Sequence, residues 1–232
     1  MYRYETHLHT LPVSKCAKAT VRENLEFYKR MGYDGVFVTN HFLDGNIGIN
    51  KKKFTYEEQL DFYMGDYDEA VSIGRELGLK VFFGVEMAYQ GTDFLIYGLD
   101  REFYYAHPEI MCMEKKGELE FLARHGAFIV HAHPFREANY IPHIRLYPRS
   151  IHAVETLNAC RTELENRMAA LYAENYGFPV TGGTDNHKAA GQRLLAGVEC
   201  EAPLTSVADY IEAVKTGTAK IFTMENPEYT EE

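Results

Sequence analysis

The sequence predicts an α/β fold built around a mostly parallel sheet. Seven short runs rich in β-branched and aromatic residues lie along its 232 residues, and helical patterns separate most of them. Several of these runs are continuously apolar rather than alternating, as strands covered on both faces are. No Pro/Gly/Ser-rich linker, shift of composition or internal repeat divides the chain. Residues 1–232 therefore read as a single domain, a length that one α/β barrel commonly uses.

The elements follow in order. Tyr2 to Thr6 is the first strand. Thr20-Val-Arg-Glu23 forms a capping box, in which the threonine side chain and the glutamate satisfy each other's backbone donors; it opens a helix running to about Met31 and stopped by Gly32. Gly35 to Asn40 is a buried-type strand, followed by a long loop holding Gly45, Gly48 and Lys51 to Lys53. A second capping box, Thr55 to Glu58, opens a helix to about Leu77, with Gly78 as its left-handed cap. Lys80 to Glu86 and Asp93 to Leu99 are the third and fourth strands. Helical residues run from about Pro108 to His125. Ala127 to Pro134 is the fifth strand and Ile151 to Asn158 the sixth. Arg161 to Tyr176 is helical, closed by Gly177. Phe178 to Asp185 is the last strong strand, and Ser206 to Asp209 caps a final helix to about Lys215.

Composition narrows the function. Against 24 basic side chains stand 34 acidic ones, a net charge of −10, which disfavours a surface built to attract nucleic acid or anionic membrane. No apolar run is long enough to suggest a membrane span, and the N-terminus has no charged-then-apolar signal region. Cys16, Cys112, Cys160 and Cys200 contain no C-x-x-C pair, so reduced thiols in a cytoplasmic protein are expected. Glycine-rich phosphate loops, H-E-x-x-H and G-x-S-x-G are all absent. The ten histidines are the unusual feature.

Those histidines collect at strand ends. Strand one runs into His7 and His9, strand two into His41, strand three into Glu86, strand five into His131 and His133, and strand seven into Asp185 and His187. In a parallel α/β sheet these ends share one face, where active sites form. Each element alone has an ordinary reading: a surface His-x-His pair, a loop histidine, an Asp-Asn turn. Together they place imidazoles and carboxylates on one face, and a metal site removes the cost of burying them.

At this point the chain resembles the PHP family (polymerase and histidinol phosphatase domains), a family of metal-dependent phosphoesterases. The resemblance rests on THLHT at 6–10, GYDGVFVTNH at 32–41, GVE at 84–86, HAHPF at 131–135 and GTDNH at 183–187, in family order and over nearly the whole chain. It implies a single PHP-like domain folded as a distorted (β/α)7 barrel, with the active site at the C-terminal ends of the strands. It implies that His7, His9, Glu86 and Asp185 hold one metal and that Glu86 bridges to a second, also held by His133. His41 and His187 match positions that hold a third ion in some members. The sequence departs from the family pattern twice. Lys15, with Cys16 beside it, stands where a histidine ligand is common, and the fourth strand offers no histidine to the second metal, only Asp93. Two divalent ions are therefore expected, with zinc, manganese or iron equally compatible with the ligands. Lys15 is the candidate to supply positive charge in place of a third ion.

The implied reaction is hydrolysis of a phosphate ester of a small metabolite or nucleotide. Two ions bridged by Glu86 lower the pKa of a water and present it to phosphorus. His41 or His187 can protonate the leaving alkoxide. Arg136 is the first candidate to hold phosphate oxygens, with Arg145, Arg193, Arg161 and Lys188 behind it. Glu155 and Asn158 can orient the ligating histidines or cap the strand. His131, two residues from His133, is expected on the same face. Two alternatives remain open: an amidohydrolase-type metal enzyme cleaving C–N bonds, which normally wants a metal-bridging lysine, and a non-catalytic domain with a structural or regulatory role.

Overall fold

The structure, a computed structural model, describes residues 1–231. The strands are β1 (Tyr2–Leu8), β2 (Gly35–Val38), β3 (Lys80–Phe83), β4 (Val85–Tyr89), β5 (Thr92–Tyr97), β6 (Phe128–Ala132), β7 (Ala153–Asn158), β8 (Val180–Gly183), β9 (Leu194–Cys200) and β10 (Lys220–Glu225). The helices are α1 (Val21–Arg30), α2 (Tyr56–Leu77), α3 (Arg101–Ala106), α4 (Lys115–Arg124), α5 (Glu163–Tyr176) and α6 (Val207–Thr216).

The helix signals act as expected. Thr20, Thr55 and Ser206 each close a reciprocal capping box, and Gly78, Gly177 and Gly217 end α2, α5 and α6 in the left-handed conformation. The helical stretch at 108–125 is shorter than expected. Pro108–Cys112 forms only a 3₁₀ turn between α3, capped by Asp100, and α4.

The fold is α/β, but the sheet is mixed. One five-stranded sheet has the order β10-β9-β1-β2-β3 and the other β4-β5-β6-β7-β8. The pairs β1–β2, β2–β3, β6–β7 and β7–β8 are parallel, whereas β1–β9, β9–β10, β4–β5 and β5–β6 are antiparallel. Among the described residues the ladders close no barrel. The two sheets meet instead at single parallel pairings, Leu8 with Asn186 and His41 with Glu86. The expected third strand is split at Gly84, where the chain leaves one sheet for the other. A Cβ on Gly84 would lie 3.0–3.1 Å from Thr39 and Tyr97 side chains, tighter than a side chain normally tolerates.

Apolar packing occupies both sides of the strands. Phe37, Leu95, Tyr97 and Val130 face inward, where Tyr210 and Val214 of α6 fill the end away from His133. On the outside, α2 packs on β3, α4 on β6 and α5 on β7, while α1 covers β1 and β2 through Leu25 and Tyr28. The inner core gives way to polar side chains at the other end.

Candidate metal centre

That polar end is built from strand termini. β1 carries Glu5 and His7 inward, two residues apart as the pleat requires, and His9 follows beyond the strand; all three are fully buried. His41 follows β2, Glu86 lies on β4, His133 follows β6, and Asp185 and His187 follow β8. Asp93 is near the start of β5. Because β5 runs antiparallel to β4 and β6, its beginning rather than its end reaches this face.

The side chains converge. His7 Nε2 is 3.1 Å from Glu86 Oε1 and 3.6 Å from Asp185 Oδ1. His9 Nε2 is 3.5 Å from Glu86 Oε2 and 3.4 Å from Asp185 Oδ1. His133 Nε2 lies 3.5 Å from Glu86 Oε1 and 3.8 Å from Asp185 Oδ2. His41 Nδ1 is 2.5 Å from Glu86 Oε2. Two of these residues hold left-handed backbone, His133 at φ 28° and Asp185 at φ 58°, a conformation that costs a non-glycine residue about 1–3 kcal/mol and clusters at functional sites.

A surrounding layer fixes their orientation. Glu155 Oε1 bonds His7 Nδ1 at 2.9 Å, and its Oε2 accepts from the His133 backbone N–H and from Asn158, each at 3.0 Å. Glu155 thus acts on the histidines, whereas Asn158 donates to Glu155 and Asp185 and also accepts the Cys160 backbone N–H at 3.0 Å, capping the end of β7. Ser14 Oγ bonds His9 Nδ1 at 3.0 Å. A Cβ on Gly183 would fall 2.7 Å from His7 Cβ and 3.1 Å from Glu155 Oε1, so only glycine lets this pair approach.

Charge favours cation binding. Burial alone would raise the Glu86 carboxyl, but His41, His9 and His7 hold it well below its usual range. Asp185 is held low against burial by His7, His9 and His187. His9 is pushed well below its usual range by burial and by His187 and His41, which leaves a neutral imidazole with a lone pair to offer. Burial would lower His7 and His41 too, yet nearby carboxylates raise both. A proton held there is displaced when a cation binds.

Metal ions fit these residues. His9 Nε2, His41 Nδ1 and Glu86 Oε2 are buried without a hydrogen-bond partner, although they lie within ion-pair distance of one another. Such atoms cost about 1–3 kcal/mol each when left unsatisfied, and a coordinated cation uses their lone pairs. The donor sets His7/His9/Asp185, His7/Glu86/His133 and His9/His41/His187 each bring their ligand atoms within 4.8 Å of one another.

A cavity of about 570 Å³ opens over the cluster, lined by Glu86, Asp93, His133, Asp185 and His187 and also by Arg136, Arg161, Tyr140 and Asn46. Arg136 donates to Asp93 at 3.0 Å and to the Tyr140 hydroxyl. Its partner is thus the fourth-strand carboxylate, which lies 3.9 Å from His133 Nε2. Arg161, a lesser candidate in the sequence, has a buried Nε without a partner.

Several expected residues are elsewhere. Lys15 is exposed, and its backbone N–H donates to Asn46; the loop turns Cys16 inward in its place, with Sγ 3.1 Å from His41 Nε2. Burial opposes ionisation of this thiol, but His187 and His41 bring it down to about 6. Arg145 is occupied by the Gln90 carbonyl and side chain at 3.0 and 2.6 Å. Arg193 is exposed beside Glu225. His131 does not share the face of His133. It packs outward on Phe94 and Tyr172, because the left-handed turn at His133 breaks the strand's alternation. The family resemblance matches Lys15 to the ligand position with Cys16 beside it, and only the path of the loop shows which of the two neighbours points inward.

Fold and donor cluster together define a class: the chain has the fold of PHP-like metal-dependent phosphoesterases. A two-domain protein of Bacteroides vulgatus containing a predicted member of that class superposes with a TM-score of 0.69 at 13% identity, over 95% of this chain and 64% of its own. This chain therefore spans less than two thirds of that protein. PsfC of Pseudomonas syringae gives a TM-score of 0.61 at 16% identity, over 99% of this chain and 93% of its own. A proposed metal-dependent phosphoesterase of Bifidobacterium adolescentis gives 0.55 at 14%, over 80% and 88%. An amidohydrolase of Chromobacterium violaceum also matches, at 0.53 and 12%, over 91% and 96%. No protein-family model and no curated protein sequence matches the chain.

Proposed function

We propose that this protein is a metal-dependent phosphoesterase acting on a small phosphorylated metabolite or nucleotide. One observation carries the reading: buried imidazole and carboxylate donor atoms crowded together lie beside two arginines in a single cavity. Cation donors and anion binders together suit a phosphate ester, whose oxygens need both. The seven strands around the site, β1, β2 and β4 to β8, are in this reading an opened form of the (β/α)7 barrel.

His7, His9, Glu86 and Asp185 hold one divalent ion, and Glu86 and His133 hold a second. When bound, the ions supply Lewis acidity toward a water and toward the phosphoryl oxygens. Arg136 and Arg161 orient the remaining phosphate oxygens; guanidinium offers planar paired donors for them. Asp93 and Tyr140 fix the Arg136 head, so little rotamer freedom is lost on substrate binding. Glu155 keeps His7 and His133 in ligating geometry. His41 and His187 face the leaving oxygen, either as proton donors or as holders of a cation. The C–N hydrolase reading lacks its lysine, since no lysine lines the cavity.

The test is hydrolysis of an aryl phosphate monoester and of the matching diester by the full chain with added zinc, manganese or iron. Turnover should depend on metal and fall by at least ~100-fold in Glu86→Gln. A folded protein that turns over neither ester with any of these ions would overturn the proposal.

A further inference from the structure

Cys16 has no role in the reading above. Its loop runs from β1 across the mouth of the cavity and turns the thiol inward, 3.1 Å from His41 Nε2. His9 is the neighbour that matters most. It is fully buried with Nε2 unpartnered, and its ring lies 4.4 Å from that of His41 and 4.2 Å from that of His187, centroid to centroid. The nitrogens of these three histidines come within 4.8 Å of one another. His187 Nδ1 is anchored on the Asp185 carbonyl at 2.8 Å, which leaves its Nε2 for another partner.

Three crowded imidazoles and one thiol resemble neither a hydrogen-bonded dyad nor a nucleophile with its base, because either needs only one imidazole. Close-packed imidazoles repel when protonated, so the cluster needs either neutral rings or one shared cation. Sulfur and nitrogen donors in this number suit a borderline-soft ion such as zinc, whereas the Glu86 and Asp185 carboxylates also suit harder ions.

We propose that Cys16 is a metal ligand: its thiolate joins His41 and His187 in a separate subsite for a zinc-class cation, next to the ion that His9 holds. This rests on the metal-centre reading and extends it, giving His41 and His187 the role of ligands rather than of general acids. The position where Lys15 was expected to stand in for an ion is then filled by an ion with a sulfur ligand.

The full chain, stripped with chelator and reloaded with cobalt(II) alone, provides the test. Cobalt bound through sulfur gives a near-ultraviolet charge-transfer absorption that oxygen and nitrogen ligands do not. The wild type should show that band. Cys16→Ser should lose it together with one cobalt per chain by elemental analysis, and Cys16→His should keep the ion without the band. Cys160 is the control: its thiol donates to the Asp185 carbonyl at 3.3 Å, and Cys160→Ser should keep the band. Cobalt retained in a Glu86-dependent manner with no band in the wild type, or a band that survives Cys16→Ser, overturns the inference and leaves the metal centre standing. A chain that retains no cobalt at all removes both.

Discussion

At the scale of single residues, two buried side chains near the cluster behave in opposite ways. Glu155 touches no expected ion, yet it holds the imidazole of His7 and the backbone of His133 with its two oxygens. Such outer partners typically contribute 10–100-fold to metal affinity or activity. Glu155→Gln keeps the shape but weakens both contacts, so we expect a loss of roughly that size in metal affinity, measured by competition with a chromogenic chelator. His131 sits two residues from His133 and stays outside the cluster. Neither of its nitrogens has a partner, and burial, with His133 adding, pushes its pKa down from 6.5 to about 3. Its folded value is depressed, so the unfolded chain takes up a proton below pH 6.5 that the fold excludes. Stability is complete above pH 6.5 and falls as the pH drops toward 3. At pH 5 the loss is about 2 kcal/mol, from ~1.5 pH units at ~1.36 kcal/mol each. His131→Leu should shrink the difference in stability between pH 7 and pH 5 by about that amount in urea unfolding, with metal content unchanged. A difference as large as in the wild type would mean that another group controls the acid limb.

At the scale of elements, the sequence was legible wherever a local device decides the structure. The capping boxes at Thr20, Thr55 and Ser206 and the glycine after α2 placed helix ends to within a residue, because cap and backbone lie only a few positions apart. The donor cluster at the strand ends was legible for the same reason: His7, His41, Glu86, His133 and Asp185 each follow or end an apolar run. What failed depended on distant partners. β10 is a half-exposed run that among the described residues forms a ladder with β9 alone, and the apolar run of β9 contains Gly197, whose missing side chain makes room for the Tyr4 carbonyl; neither looks like a core strand. The inward turn of Cys16 likewise depends on its loop being tied to other elements. Asp66 on α2 makes one such tie, accepting from Thr10, Val13 and Asn40 in the loops that carry His9, Cys16 and His41. Burial raises its pKa to about 6 despite these donors. A carboxyl raised in the fold is most favourable when protonated, so its contribution declines as pH rises from about 4 to about 6. Asp66→Asn retains an acceptor oxygen and cannot ionise. The stability of the variant relative to wild type should therefore improve between pH 4 and pH 7 by up to about 3 kcal/mol, read from paired denaturant curves. Asp66→Ala, which frees both loops, should instead lower metal affinity.

At the scale of the whole molecule, the centre lies on a seam. His7 and His9 belong to the first sheet and His41 to the loop after it, while Glu86, His133 and Asp185 come from the second. This arrangement was not legible in the sequence, because strand order and direction are set by packing between residues far apart in the chain; an antiparallel β5 leaves no local mark. Among the described residues two bridge pairings cross the seam, Leu8 with Asn186 and His41 with Glu86, carried by hydrogen bonds such as His9 N–H to Asn186 O at 3.1 Å and Glu86 N–H to Asn40 O at 3.0 Å. An ion bound by both sides fastens a joint that the backbone fastens weakly. Ion binding to the folded state adds about 2.7 kcal/mol at a hundredfold excess over Kd, roughly 5–10 °C in Tm for a chain of this size. Chelation should remove that increment, and differential scanning calorimetry measures it. The location of the effect is the sharper prediction. Hydrogen exchange at the amides of His9, Phe42, Glu86 and Asn186 should accelerate strongly on chelation, because local opening of the seam no longer has to break metal contacts. Amides at the Ile96–Ile129 and Tyr97–Phe128 pairs of the β5–β6 ladder, inside one sheet, should change little under conditions where only local opening is sampled. Equal acceleration in both places would mean that the ion stabilises the molecule globally without joining the sheets, and no acceleration at the seam would mean that the donors on its two sides do not share an ion.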